Sequence, residues 1–233
     1  MSQTKRVALL QSNYLPWKGY FDLINSVDEF IFYDDVQYTK NDWRNRNQIK
    51  TKRGVEWMSI PCGSNLNRLI NEVEINDKKW KNAHWSKIIK SYKRAPFFKR
   101  YEYFFEDFYL KDDQANLSEL NQYLITRISR DFLSSRTVFD DSRRFCNSDL
   151  ASNDRVLDIV KKSGATTYVS GPSAKSYLME SDFLASGITV EWIDYGGYPE
   201  YEQAHPPFTH AVSIIDLLFS VGSDAPAFMH SFK

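Results

Sequence analysis

Cysteine is nearly missing from this 233-residue chain: Cys62 and Cys146 are far apart and belong to no paired motif. They leave room for one disulfide, but not for a disulfide framework, a zinc knuckle or a redox dithiol. Net charge is missing too, because 30 Lys+Arg balance 30 Asp+Glu. That balance argues against a protein whose affinity comes mainly from phosphate backbones or acidic membranes. No nucleic-acid partner and no membrane insertion are therefore expected. Long apolar runs are absent as well. The first one, Val7-Ala8-Leu9-Leu10, soon meets Gln11 and Asn13, too early for a signal peptide or a spanning helix. A cytoplasmic location is expected. The chain also lacks Gly-x-Gly-x-x-Gly, a Walker A loop, Gly-x-Ser-x-Gly and His-Glu-x-x-His, which removes the standard signatures of dinucleotide, P-loop, hydrolase and zinc-protease chemistry.

What is present is enough for a substantial core. Hydrophobic residues make up 42% of the chain and charged ones 26%, which excludes disorder, and aromatics reach 15%. Residues 7–10 read as a strand buried on both faces. A polar loop through Pro16 follows, and Tyr20, Phe21, Leu23, Ile24 and Val27 then recur at helical spacing. A second strand at 30–33 ends at Asp34-Asp35. Strand, helix and strand in about 30 residues is the βαβ signature of a parallel sheet. Residues 41–47 read as a polar loop, and 48–51 with 56–60 as a hairpin. Residues 78–133 read as two or three helices dense in aromatics. Alternation then resumes with a helix at 153–162 stopped by Gly164, a strand at 166–169, a helix opened by residues 170–176, a strand at 188–193 and a last helix at 213–220. The expected fold is an open, mostly parallel, Rossmann-like α/β sheet with an inserted hairpin and a helical, aromatic-rich middle. The chain reads as a single α/β domain over 1–233, with 78–133 as a helical insertion or cap.

Three segments carry groups suited to chemistry. The first is Gln11-Ser12-Asn13-Tyr14-Leu15-Pro16-Trp17-Lys18-Gly19-Tyr20. It lies where a strand hands over to a helix, the place where open parallel sheets bind ligands. Free N–H groups at the helix start suit an anion, and Gly19 would let a ligand or a strand come close. Leu15, Trp17 and Phe21 read as packing. The second segment is Ser170-Gly171-Pro172-Ser173-Ala174-Lys175-Ser176, whose hydroxyls and lysine at a helix start suit a phosphate or carboxylate. The third runs from Asp34-Asp35 through Gln37, Tyr38 and Lys40 to Trp43-Arg44-Asn45-Arg46-Asn47. Its two acids could hold magnesium or orient a hydroxyl or amine, and its arginines could fork onto phosphate. Alternation along the strand sends Asp34 and Asp35 opposite ways. No cofactor is indicated beyond magnesium at that acid pair, and no protein metal site is expected.

Other groups read as structural. His205 and His210 flank Pro206-Pro207, which breaks the i, i+4 pairing of ligands on a helix. His84 lies among aromatics, His230 lies in a tail expected to be mobile, and Cys62 reads as a buried thiol. Residues 87–100 are basic, but the acids that follow cancel the local sign, and an amphipathic capping helix is the reading there.

These same stretches resemble the WbqC-like family: residues 11–21, Asp34-Asp35-Val36-Gln37-Tyr38, residues 43–47 with Ile49-Lys50, residues 168–177, Tyr201 with Gln203, and residues 213–219. The likeness runs nearly end to end, with Ser12 standing where the family more often has proline. The resemblance implies work in bacterial surface-polysaccharide (O-antigen) biosynthesis on nucleotide-linked amino sugars. The layout of the first βαβ unit is also similar to nucleotidyltransferases that carry His-x-Gly-His at Trp17-Lys18-Gly19-Tyr20, but aromatics replace both histidines here. The function expected is acyl or aminoacyl transfer to a nucleotide-linked amino sugar, with Asp34, Asp35 and Lys175 as catalytic candidates. The alternatives are magnesium-dependent nucleotidyl transfer and a noncatalytic binding role in polysaccharide assembly.

Overall fold

The computed structural model describes residues 4–145, 150 and 152–232. Its centre is the first apolar run. Strand β1 (Arg6–Leu10) is flanked by β2 (Glu29–Phe32) and β6 (Thr167–Ser170), and the sheet is completed by β5 (Val138–Asp141) and β7 (Thr189–Trp192). The order is β5-β2-β1-β6-β7, and every neighbouring pair is parallel. The expected open α/β sheet is therefore present and wholly parallel.

Strand β5 is an element that sequence reasoning missed. It is four residues long, half of it is aspartate, and Val138 at its start is 57% exposed. A short, acidic edge strand has neither the apolar run nor the alternation that marks a strand in sequence.

Alternation along the central strands separates two cores. Val7, Leu9 and Ile31 face α5 (Ser152–Lys162) and α6 (Glu180–Ala185), meeting Val156, Ile159, Val160 and Phe183. Ala8, Phe30 and Phe32 face the larger core, which includes α1 (Lys18–Asn25), α2 (Lys79–Tyr92), α3 (Phe98–Leu110), α4 (Leu117–Arg127) and α7 (Ile214–Val221). The aromatic surplus sits mainly here. The Phe219 ring lies 5.2 to 6.4 Å from the rings of Tyr92, Phe98, Tyr101 and Phe105, separations suited to edge-to-face and offset packing.

The helical layer also contains polar groups that must be satisfied. Asp216 on α7 is fully buried and accepts hydrogen bonds from the Tyr92 and Tyr201 hydroxyls and the Gln203 amide, all at 2.8 Å. Burial pushes its carboxyl up from the ordinary value, and these three donors together with Lys50 pull the other way. His84 faces the Tyr14 hydroxyl at 3.0 Å from Nδ1. Desolvation, with the positive charge of Lys87, lowers its pKa to about 4.

The hairpin pairs β3 (Arg46–Thr51) with β4 (Gly54–Ser59). Arg46 and Asn47, expected in a loop, thus lie on a strand: Arg46 pairs with Ser59 and Asn47 with Met58. Polar side chains hid this, because the strand turns one half-exposed face outward. His230 is not in a loose tail. It stacks on Tyr198 at 4.5 Å and its Nε2 lies 2.9 Å from the Gly196 carbonyl. Cys62 is a free, buried thiol, while Cys146 lies outside the described residues.

Two outcomes follow from this packing. Gly222 ends α7 at φ +65°, and a Cβ there would lie 2.4 Å from the Phe97 ring. Gly222→Ala is expected to cost about 2 kcal/mol or more in urea unfolding, since both the left-handed backbone and the ring oppose a side chain. For His84 the folded state favours the neutral imidazole. Its contribution is complete above the ordinary value of 6.5 and is lost as pH falls through about 4. The melting temperature should therefore fall over that interval, and His84→Gln should flatten this part of the profile.

Candidate functional site

The strand order reverses between β1 and β6, since β2 and β5 follow on one side of β1 and β7 follows β6 on the other. The crevice beyond the carboxyl ends of such a pair is where parallel sheets receive ligands. Gln11, Ser12 and Asn13 leave β1 at this edge, and Ser170 and Gly171 leave β6 beside them.

Arg44 reaches into the crevice from the loop before β3. Its guanidinium donates to Asn13 Oδ1 at 2.6 Å and Gln11 Oε1 at 3.2 Å, and it lies 3.7 Å from Asp42. Its Nε is buried without a hydrogen-bond partner, and its carbonyl accepts from the Asn121 amide at 2.8 Å. Burial disfavours the Asp42 anion, but Arg44, the Thr39 hydroxyl and the Trp43 N–H outweigh it and hold the carboxyl below its ordinary value. The Tyr20 hydroxyl donates to the Gln11 carbonyl at 2.9 Å. Gln11 and Asn13 of the first candidate segment and Arg44 of the third thus share one hydrogen-bonded unit, because a guanidinium finds amide oxygens at matching spacing.

The two aspartates diverge. Asp34 is 1% exposed and turns toward α4, accepting from the Ser12 N–H at 2.8 Å, the Ser118 hydroxyl at 2.5 Å and the Gln122 amide at 3.1 Å. Asp35 turns toward α5, accepting from the Ser142 hydroxyl at 2.5 Å and pairing with Arg155. Arg155 also donates to the Asp35 carbonyl at 3.1 Å and lies over the Tyr33 ring. Beside them Arg143 clasps Asp141 through Nε and Nη2 at 2.8 and 2.9 Å. Burial opposes the Asp141 anion, but these bonds prevail and its carboxyl is lowered. Among the described residues, no three acid, thiol or imidazole groups gather to hold a metal ion. Asp34 and Asp35 do not fit magnesium, since they face opposite sides of the sheet and both are already hydrogen-bonded.

Other expected site residues lie elsewhere. Tyr14 is buried in the helical core against His84 and Tyr109. Lys18 points to the 194–201 loop, its ammonium 2.9 Å from the Pro199 carbonyl and over the Tyr198 and Tyr201 rings. Desolvation lowers its pKa to about 8, with Asp22 and Glu200 opposing. The backbone of Gly19 is approached by Trp17: a Cβ there would sit 2.3 Å from the indole. Asn45 and Asn47 are structural clasps, donating to the Ile60 carbonyl and to the Tyr14 and Leu15 carbonyls. Gln37 fastens the 66–68 loop, Tyr38 is buried beneath Arg68, and Lys40 is exposed. Trp43 is 44% exposed and leans on Trp57, whose ring also carries Arg46 at 4.2 Å. Tyr201 and Gln203 belong to the Asp216 network.

The second expected helix start is replaced by a different structure. Residues Pro172–Ser176 make a short 3₁₀ turn, and α6 begins only at Glu180. Ser173, Lys175 and Ser176 are exposed on that turn, with Lys175 over the Trp192 ring at 5.3 Å. Pro172 starts the turn, and the chain leaves it at Tyr177 even though Ala174, Lys175, Leu178, Met179 and Glu180 are good helix formers. Ser170 alone is inward, 3.3 Å from the Tyr168 hydroxyl.

Sequence reasoning missed Arg155, Arg143, Ser142, Gln122 and Tyr195. Tyr195 follows β7, packs on Trp17 at 5.3 Å and lies next to Gly171. Its position after the last strand of a parallel sheet is the signal that could have found it. Arg143 sits on the short turn after β5 and Arg155 on α5, and neither belongs to a motif.

Asp34→Ala is expected to cost about 3 kcal/mol in denaturant unfolding, since three donors lose one buried acceptor. Lys175→Ala should cost about 0.5 kcal/mol or less, as a surface change.

No solved structure matches the chain significantly. It is 43% identical over 227 residues to the uncharacterized protein Rv1507c of Mycobacterium tuberculosis, with 97% of each chain covered. Residues 11–228, from the loop after β1 to the segment after α7, match the WbqC-like protein family, so the chain belongs to that family.

Proposed function

We propose that this protein is a cytoplasmic enzyme of bacterial surface-polysaccharide biosynthesis that acts on a nucleotide-linked amino sugar. The observation that carries the reading is the Gln11–Asn13–Arg44 unit at the point where the strand order reverses. A guanidinium fixed by two amides, with N–H groups left over, is ready to fork onto a pyrophosphate without first losing side-chain freedom. The polysaccharide setting comes from the family resemblance, and the family membership supports it.

The reaction proposed is acyl or aminoacyl transfer. The sugar amine attacks the carbonyl carbon of an activated acyl donor, a C–N bond forms, the bond to the donor's leaving group breaks, and the amine proton passes to a base. Asp35 suits that base better than Asp34, since it is 8% exposed against 1%. Asp34 is a positioning residue that holds the Ser12 N–H and so sets the path of the 11–13 segment. Arg143 and Arg155 line the same edge and would offset the charge of a diphosphate. Magnesium-dependent nucleotidyl transfer has less behind it, because the acids diverge and the 172–176 turn offers no helix start.

Thermal shift with UDP- and dTDP-linked amino sugars at millimolar concentration tests the reading. The wild-type chain should gain several degrees, as expected for a ligand present well above its Kd. Arg44→Gln should lose the gain, and Asp35→Asn should keep the gain but lose turnover. If no member of the panel shifts the wild-type protein, the reading fails.

A further inference from the structure

A second concave surface lies away from the crevice. It is a groove of about 1030 Å³ between the hairpin turn, the carboxyl end of α2 and the 202–205 loop. Its walls carry Lys52, Arg53, Lys87, Lys90, Lys93 and Arg94, against two carboxylates, Glu56 and Glu202. Glu56 is already engaged by Arg53, Lys87 and the Thr51 hydroxyl. In a chain whose total charge is zero, this concentration of one sign in a concavity is not a consequence of composition. Lysines near a helix carboxyl end offset its dipole, which accounts for Lys90 and Lys93. It does not account for Lys52 and Arg53 on the facing hairpin, or for Lys87 a turn earlier.

The floor supplies an independent sign of a ligand. Ser220 on α7 lines the groove and is 8% exposed, and its Oγ is buried without a hydrogen-bond partner. A buried hydroxyl left unpaired is costly unless something else meets it. Beside it Gln203 and His205 also line the groove. His205 is fixed by its contact with the Ser91 carbonyl at 3.0 Å, so this wall is held in place. The volume matches that of small-molecule clefts and greatly exceeds what a single inorganic phosphate would fill. Among the described residues no Phe, Tyr or Trp lines the walls, and the His205 ring is held against the Ser91 carbonyl, so recognition would be led by phosphate charge and not by stacking on a base.

We propose that this groove is a binding site for a small pyrophosphate-bearing anion of about nucleotide size, held by cations from the hairpin and from α2, with the Ser220 hydroxyl bonding to one of its oxygens. None of the crevice residues Gln11, Asn13, Asp35 and Arg44 lines it, so the proposal stands or falls separately from the reading of that edge.

The test is calorimetric titration of the full chain in low-salt buffer with inorganic pyrophosphate, with ATP and with sulfate. Pyrophosphate and ATP should bind and sulfate should bind much more weakly. Lys90→Glu with Arg94→Glu, both on exposed positions, should weaken binding by about tenfold or more, the loss expected when charge-assisted hydrogen bonds disappear. Ser220→Ala should weaken it by a smaller factor, and circular dichroism confirms that each variant is folded. The titrations are repeated in the Arg44→Gln background, which removes the crevice's contribution, so that binding which persists there and is lost on adding the Lys90→Glu and Arg94→Glu changes belongs to the groove. The proposal is overturned if neither pyrophosphate nor ATP binds, if the double variant binds as tightly as the wild type, or if sulfate binds equally well. It is equally overturned if phosphatidylserine vesicles bind while the soluble anions do not, since the patch would then be a surface for membranes.

Discussion

The carboxylate of Asp34 is the constraint on which the functional edge depends. It sits just beyond β2, accepts the Ser12 N–H that leaves β1, and accepts two side chains of α4. One buried anion therefore joins two central strands to the helical layer. Taking a charge out of water is unfavourable, and it is tolerated because three donors converge on it. The backbone of residues 11–13 is held as a result, so Gln11 and Asn13 are in place to orient Arg44. Asp35, one residue on, makes the matching connection to α5 on the other face.

Much of this arrangement was legible in the sequence, and the parts that were not have physical reasons. The apolar runs of β1 and β2 announce themselves because both faces of a parallel strand are buried. The divergence of Asp34 and Asp35 follows from the two-residue period of an extended chain. The edge strand β5 and the start of β3 escaped because their polar residues carry no such pattern. The helix expected at Ser173 is replaced by a short turn although the proline start and the residues that follow favour a helix, so local propensity is overridden there and α6 begins only at Glu180. Tyr14 and Lys18 were read with the site because they are near it in sequence, yet a helix start sends successive side chains in different directions, here into the core and toward the 194–201 loop.

Charge tells a similar story. Neutral composition rightly said little about local fields. The basic stretch in α2 looked cancelled by the acids of α3, but those acids lie on a different helix and the hairpin adds its own cations opposite. Cancellation along a sequence is not cancellation in space, since screening acts over the distance between groups and not over residue count.

The parallel pairing of β1 with β6 has a further meaning for how the chain is made. The Lys5 N–H bonds to Thr166 across 161 residues, and Val7 pairs with Tyr168. During synthesis β1 can pair with β2 early, but its other edge must wait until most of the chain has left the ribosome. An apolar strand with one open edge is the kind of surface that recruits unwanted partners. The helical layer of α2 to α4 emerges in that interval and can cover one face of the strand pair before β6 arrives. The crevice, which needs both β1 and β6, is thus completed late in assembly.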